Sequence, residues 1–495
     1  MPTFLPTSRQ KICNIRKKAA VFVFLDENQF ILRQNHQNGG MSCPLKDNIL
    51  SLDRPVPRYT SYPPAPFFEP VTSQMATTEW RLLKTGPEKK LSLYFHVPFC
   101  PKLCWYCGCH TKITQRYAPL EDYLHLMMRE IDIVSANLPY KNSVTHIHFG
   151  GGSPGMIRAV DFDKVMGRIR ERFNLSPDIE ISIELDPRNI TEGRVVSYAR
   201  NGVNRISLGI QDFNPVVLKA VNREQPFYLS YNALQLLRDY GIEKINFDLM
   251  YGLPHQTPET ITETIKKALF LSPSRIAFFG YAHVPWMKKH MRLIDEDTLP
   301  DSAGRYDLFE TGQNAITKAG FRQIGIDHFA RQSDSLYHAF REKKLKRNFQ
   351  GYTADAADVL IGLGASSISR IGNAYTQNAP DMGTYKNAVL TGKIPTWKGL
   401  ELTAEDLLRS DIIEKIMCYG EADIGYLCQK HGFGLKHLDK ELLELSDYIE
   451  QGLIILQNRK IIISKSPHFV MRFIANIFDS HKTEHPVENR HARAV

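Results

Sequence analysis

Six short apolar runs rich in β-branched residues constrain this chain most: 91–97, 144–149, 179–185, 203–210, 243–250 and 275–282. Between them lie longer stretches with helical spacing, among them Tyr123 to Ile131, Phe162 to Phe173, Arg194 to Arg200 and Leu229 to Tyr240. Strands that alternate with helices make parallel βα units, because a parallel connection needs a crossover. Six units are fewer than the eight of a closed barrel. The pattern predicts an α/β fold, an incomplete (β/α)6 barrel with its mouth at the strand C-terminal ends.

The chemistry gathers at those ends. Strand 91–97 runs into Cys100-Pro-Lys-Leu-Cys104-Trp-Tyr-Cys107-Gly-Cys109, and half of the eight cysteines fall within these ten residues. Three thiolates at C-x3-C-x2-C can hold three irons of a [4Fe–4S] cube and leave the fourth open. The spacing is not that of a zinc site, which pairs two C-x2-C or His groups. Cys109 reads as a thiol beside the site rather than a ligand, since one residue from Cys107 is an awkward reach on the same cube. Cys13, Cys43, Cys418 and Cys428 are scattered and read as ordinary thiols.

The second strand ends in Gly150-Gly151-Gly152-Ser153-Pro154, more glycine than a turn needs and a ledge on which a polar ligand can lie. Glu184, Gln211 and Asp248 stand at later strand ends, and Arg223 follows in Val-Asn-Arg-Glu-Gln. Carboxylates suit ribose hydroxyls, and a guanidinium suits a carboxylate. His96, His148, His283 and His328 alternate with apolar residues and read as core or lining side chains.

Outside the barrel, residues 1–48 show no period and read as a poorly structured extension, with Met41 a possible alternative start. Residues 49–90 form an arm, extended by five prolines between 55 and 66. The barrel is assigned to 91–375, with Gly351 to Gly372 read as a glycine- and serine-rich loop region. A mainly helical domain over 376–480 ends in a hairpin at 452–465, winged-helix-like, before a polar tail at 481–495.

The chain has 62 basic and 53 acidic residues, a net charge of +9. Residues 1–40 hold six Lys/Arg against two acids, so +4 of the +9 lies there. The remainder is mildly basic, which argues against nucleic acid as partner and suits an anionic small substrate. No apolar run spans a membrane, and the cytoplasm is the default compartment.

Pro57-Arg-Tyr-Thr-Ser-Tyr-Pro, the cysteine loop, Val221-Asn-Arg-Glu-Gln, Tyr281-Ala-His, Ile326-Asp-His-Phe-Ala and Arg347-Asn-Phe-Gln-Gly-Tyr-Thr resemble the oxygen-independent coproporphyrinogen III oxidases (dehydrogenases) of the radical S-adenosylmethionine superfamily. The resemblance runs from about residue 49 to 480. It implies an incomplete (β/α)6 radical-SAM barrel with an N-terminal arm and a mainly helical C-terminal domain. It implies one [4Fe–4S] cluster on Cys100, Cys104 and Cys107, with S-adenosylmethionine on the open iron. Two S-adenosylmethionine molecules are implied. Tyr94, Gly151, Glu184 and Ile368 match positions around the first; Tyr106, Gly152, Ser153, Gln211, Arg223, Asp248 and Ala282 match those around the second. A 5′-deoxyadenosyl radical would take hydrogen from the β-carbon of a propionate of coproporphyrinogen III. Loss of CO2 and an electron leaves a vinyl group, and two such events give protoporphyrinogen IX for haem biosynthesis. The implied partners are coproporphyrinogen III and a flavodoxin- or ferredoxin-type electron donor, and the implied state is a monomer. Arg54 and Arg58 in the arm are candidates for the substrate carboxylates. Two relatives of this group stand as alternatives: a haem chaperone, which usually lacks Cys109, the arm and Val-Asn-Arg-Glu-Gln, and an anaerobic haem-degrading radical methyltransferase.

Overall fold

The computed structural model describes residues 22–24, 30–32, 45–71, 80, 83–464 and 467–482. The readings of Cys13, Met41, Cys43 and the tail beyond 482 lie outside the described residues. All six expected strands are present: β1 (Lys90–Val97), β2 (Ser143–Gly151), β3 (Asn174–Leu185), β4 (Arg205–Gln211), β5 (Lys244–Tyr251) and β6 (Arg275–Gly280). Each pairs in parallel with the next in chain order. The crossovers carry α1 (Ala118–Ala136), α2 (Ala159–Arg172), α3 (Glu192–Arg200), α4 (Phe227–Asp239) and α5 (Pro258–Phe270).

Alternation along the strands divides two environments. One face points to the helices and is apolar: Phe95 stacks on Phe149 at 4.8 Å, and Phe149 meets Phe162 of α2 at 5.2 Å. The other face points inward and is polar. Ser92, His146, His148, Glu180, Ser182, Glu184, Ser207, Asn246 and Asp248 line an interior cavity of about 240 Å³. Ion pairs tie its walls together, with Arg205 Nε 3.0 Å from Glu180 and His146 Nδ1 2.9 Å from Asp355. A polar interior costs desolvation unless it stays wet or takes a polar ligand.

The loop expected over 351–372 is instead part of the sheet. β7 (Val359–Leu363) pairs in parallel with β1, making a seventh parallel strand. β8 (Ile368–Ile371), β9 (Ala374–Asn378) and β10 (Thr396–Glu401) extend it antiparallel, and Glu69–Pro70 of the arm pairs with β10. β9 runs through residue 375, so the sheet continues past the expected barrel limit. The glycines here serve packing rather than a loop: a Cβ on Gly362 would lie 2.7 Å from Ile368 O. The far edge is Arg322–Ile324, and the thirteen-stranded sheet does not close.

α6 (Ser302–Lys318) and α7 (Ala404–Tyr419) lead to three short helices and the hairpin β11 (Ile454–Gln457) and β12 (Lys460–Ile463). Asn458 and Arg459 turn the hairpin with φ of 48° and 64°, the positive pair of a type I′ turn. Phe22–Phe24 and Phe30–Leu32 pair with each other, and Ile31 pairs with Gln457, so the N-terminal extension contributes strands to this small sheet. α8 (Pro467–Ile477) grips the arm: Arg472 Nε donates to Pro57 O at 3.1 Å and Asn476 Nδ2 to Tyr59 Oη at 2.8 Å. Tyr59 Oη in turn donates to Asp479 at 2.9 Å. Among the described residues no helix is long and apolar enough to cross a membrane.

Glu130 of α1 joins the barrel to the later strands. It is fully buried, and it accepts from Gly364 N at 2.7 Å, Asn378 Nδ2 at 2.7 Å and Tyr385 Oη at 2.6 Å. Burial raises its pKa to about 7 from an ordinary 4.5, although these three bonds pull it down. A raised acid binds its proton more tightly when folded. Its contribution is therefore whole below about pH 4.5 and is lost as pH climbs through 7, up to about 3 kcal/mol. Urea unfolding between pH 4.5 and 7.5 is expected to show this loss, and Glu130→Gln is expected to remove it. Parallel pH profiles for the two proteins would contradict the assignment.

Candidate active site

The cysteine loop leaves β1 through Phe99–Cys100, a short strand paired with Lys112–Ile113. Backbone bonds tie it to the glycine ledge: Gly152 N donates to Val97 O at 2.9 Å and Ser153 N to Phe99 O at 2.8 Å. This approach requires glycine, since a Cβ on Gly152 would lie 2.7 Å from Phe99 O and 2.8 Å from Val97 O. Gly151 adopts φ 110°, closed to most side chains. On the other side Trp105 N donates to Val221 O at 3.1 Å and Asn222 Nδ2 to Leu103 O at 2.8 Å. A third support crosses from the loop after β6. Lys288 Nζ donates to Cys109 O at 3.0 Å, and His290 Nε2 lies 2.8 Å from Cys107 O.

Cys100, Cys104, Cys107 and Cys109 line one cavity of about 200 Å³ with Tyr106, Gly151, Gly152, Ser153, Glu184, Gln211, Arg223 and Asp248. Glu184, Ser207 and Asp248 also line the interior cavity below. Tyr94, Ala282 and Ile368 lie outside this lining. Tyr94 stands behind it, stacked on His148 at 5.7 Å with its hydroxyl 3.1 Å from His96 Nδ1. Ile368 packs against Phe68, Tyr375 and Leu402. Ala282 follows Tyr281 at the end of β6, whose ring packs with Tyr106 and Trp105.

Electrostatics separates the two carboxylates. Burial alone would raise Glu184. The His148 hydrogen bond at 3.0 Å, its charge and the Gly151 N–H at 3.2 Å outweigh that and hold the group below its ordinary value. Burial raises Asp248 to about 6, against the pull of Ser207 and with the push of Glu184. Ser207 Oγ and Asn246 Nδ2 each donate to Asp248 at 2.8 Å. Gln211 sits at φ 69°, where the β4–β5 register shifts. A positive φ at a side-chain-bearing residue costs energy, and here the bulge turns Gln211 into the cavity.

Arg223 Nη1 lies 3.5 Å from Cys104 Sγ and 3.3 Å from Asp186 Oδ2, while Nη2 donates to Gly209 O. Burial would lower its pKa, but Tyr106, Asp186 and Cys104 around it keep it charged. Asp186 and Arg188, ion-paired at 2.6 Å, were not singled out in the sequence, and Arg188 Nη2 also reaches Cys104 Sγ at 3.9 Å. Their signal was position: they follow β3 directly, two and four residues after Glu184. Two guanidinium groups thus stand beside one sulfur. The Cys107–Cys109 hydrogen bond lowers Cys107 and raises Cys109, leaving Cys109 as the donor.

A radical SAM superfamily model matches residues 94–268, the span from β1 to α5. A curated relative from Bradyrhizobium diazoefficiens, "Oxygen-independent coproporphyrinogen III oxidase", is 42% identical over 440 residues, covering 89% of this chain and 97% of its own. The chain belongs to the oxygen-independent coproporphyrinogen III oxidase family. A Helicobacter pylori relative of the same name is 37% identical over 86% of this chain and 94% of its own. The solved coproporphyrinogen III oxidase from Escherichia coli, described as a radical SAM enzyme, superposes with a TM-score of 0.81 at 35% identity. The match covers 86% of this chain and 98% of that one. Radical SAM membership carries with it a [4Fe–4S] cluster and S-adenosylmethionine. The residues fit such a group, because the cysteines share one cavity in which Ser153 Oγ and Arg223 Nε are buried without partners among the described residues. Among the described residues no three such ligands gather tightly enough for a single ion. A cube, whose thiolates each take a different iron, does not ask for that.

The ledge is testable without substrate. Gly152→Ala is expected to cost about 2–3 kcal/mol, since the clash is with backbone that cannot rotate away, and to reduce the iron retained after anaerobic reconstitution. Gly167→Ala in α2, where a Cβ meets nothing within 4 Å, is expected to be neutral or to stabilise by up to about 1 kcal/mol. Urea unfolding and iron analysis check both.

Proposed function

We propose that this protein catalyses the oxygen-independent oxidative decarboxylation of two propionates of coproporphyrinogen III, giving protoporphyrinogen IX. The observation that carries the reading is the single cavity in which Cys100, Cys104 and Cys107 face Glu184, Gln211, Arg223 and Asp248. Family membership supports it. In this reading those three cysteines hold the cluster and Cys109 stays a thiol. Tyr94, Gly151, Glu184 and Ile368 surround one S-adenosylmethionine. Tyr106, Gly152, Ser153, Gln211, Arg223, Asp248 and Ala282 surround a second. When bound, cluster and cofactor supply a 5′-deoxyadenosyl radical able to take hydrogen from the β-carbon of a propionate.

The chain's own residues do the rest. Glu184, kept ionised by His148 and Gly151 N–H, accepts from an ammonium or hydroxyl group of the cofactor. Ser153 offers a hydroxyl not spent on the protein, whereas the N–H groups of Gly152 and Ser153 are already used by Val97 and Phe99. Arg223 has Nε to spare for a carboxylate and uses its other nitrogens on Cys104, Asp186 and Gly209. The arm and α8 cover the mouth and exclude water from a reactive carbon centre. The partners in this reading are coproporphyrinogen III and a flavodoxin- or ferredoxin-type electron donor, and the protein acts as a cytoplasmic monomer.

Reconstituted anaerobically and given S-adenosylmethionine, dithionite and coproporphyrinogen III, the protein is expected to form protoporphyrinogen IX, 5′-deoxyadenosine and methionine. Protoporphyrinogen without 5′-deoxyadenosine, or neither product, rules the reading out. Cys104→Ser is expected to lose the cluster's visible absorption and all activity, while Cys109→Ser is expected to retain its iron.

A further inference from the structure

At the C-terminal ends of β5 and β6, four and five strands along the sheet from β1 and its cysteines, the chain brings guanidinium groups from three separate elements to one place. Arg58 of the arm donates Nη2 to Gly280 O, the last residue of β6, at 2.9 Å. Arg305 of α6 reaches the same residue, since a Cβ on Gly280 would lie 3.1 Å from its Nη2. A Cβ on Gly252, just after β5, would overlap Arg305 Nη1, so two strand ends are kept bare for this side chain. Arg347, ahead of Gly351–Thr353, donates Nε to Tyr59 O at 3.1 Å and Nη2 to Arg58 O at 3.3 Å. Its guanidinium lies 4.3 Å over the Tyr352 ring, and Nη1 is buried with no hydrogen-bond partner among the described residues. Arg472 of α8 supports the group from behind, holding Val56 O and Pro57 O of the arm.

Like charges packed together oppose the fold unless something answers them. Arg347 and Arg305 both act against the charge on Arg58, and Asp327 acts for it. Asp327 is already engaged with His328 Nδ1 at 2.7 Å. Arg58 is nevertheless exposed, and Arg305 and Arg347 are partly exposed. The group therefore meets solvent rather than sealing a core. Arg54, the other arm candidate, turns away: it donates to Tyr448 Oη at 3.2 Å and lies 5.3 Å over Phe473.

We infer that Arg58, Arg305 and Arg347 form a seat for carboxylates, taking the two propionates of the tetracarboxylate substrate that the reaction leaves intact. This rests on the reading of the substrate given above. Guanidinium forks match carboxylates two bonds at a time. A macrocycle with its reacting propionates at the cofactor end has its remaining carboxylates at the opposite end. There the seat holds them, and it fixes which side chains face the cofactor. Orientation, more than attraction, is what such a seat contributes to rate.

The test needs no cluster. Coproporphyrin III, the air-stable fluorescent form of the macrocycle, is titrated into the cluster-free full-length protein and its binding followed by fluorescence anisotropy. Arg58→Gln, Arg305→Gln and Arg347→Gln are each expected to weaken binding by roughly tenfold or more, the scale of a lost charge-assisted hydrogen bond. Arg54→Gln is expected to bind as wild type does. Thermal melts confirm that each variant is folded. Where a Gln variant does not fold, the Lys variant at that position keeps the charge, loses the fork, and is expected to bind roughly threefold more weakly. The tetramethyl ester is expected to bind the wild type at least tenfold more weakly than the free acid. Folded variants that bind coproporphyrin III as tightly as wild type overturn the seat alone. A wild-type protein that does not bind coproporphyrin III overturns both the seat and the substrate reading.

Discussion

The site depends on a close backbone approach. Gly152 and Ser153 donate to Val97 and Phe99 across a gap that no side chain can enter. That contact fixes the cysteine loop to the end of β2, so thiols from the end of β1 and carboxylates from β3 and β5 share one cavity. Val221 and Asn222 hold the loop from the far side, and Lys288 and His290 hold it from above. A loop rich in cysteine and short of regular structure needs such ties, because its own residues have little apolar surface to bury.

The second constraint is the polarity of the barrel interior. Ordinary parallel strands are apolar on both faces. Here the inward face carries His148, bonded to Ser182 and Glu184, and Ser207, bonded to Asp248. Glu184 is held low because His148 and a backbone N–H outweigh burial, while for Asp248 on β5 burial and the Glu184 charge outweigh Ser207, Asn246 and the His328 charge, and it is pushed up. One cavity thus holds two carboxylates of different basicity, which can meet different groups on a ligand. The arrangement is costly in an empty protein and is offset by whatever fills it.

Arm, barrel and C-terminal helices form a third linked system. Tyr59 and Tyr62 are anchored on Asp479 and Ser480, Arg472 holds the arm's carbonyls, and Arg58 reaches β6. The prolines that keep the arm extended leave its carbonyls unpaired along its length, and arginines from later in the chain take them up. The mouth is therefore bordered by groups hundreds of residues apart in sequence.

Local pattern carried much of this. The six strands, the helices between them, the hairpin at Asn458–Arg459 and the chemistry of the cysteine loop follow from periodicity, turn residues and ligand spacing, which are short-range properties. The sequence by itself determined the parallel βα order and which residues stand at strand ends. Only the tertiary structure decided the rest. β7 was hidden because Val359–Leu363 is short, and its glycines answer to packing against β8. Asp186 and Arg188 matter because the segment after β4 brings Arg223 to them and the loop after β1 brings Cys104. Arg305 carries no local signal and Arg347 only that of opening a family motif; they become one group with Arg58 only when three distant elements close on the ends of β5 and β6. Spacing reveals what neighbours along the chain can do together, and long-range convergence of charge is set by folding alone.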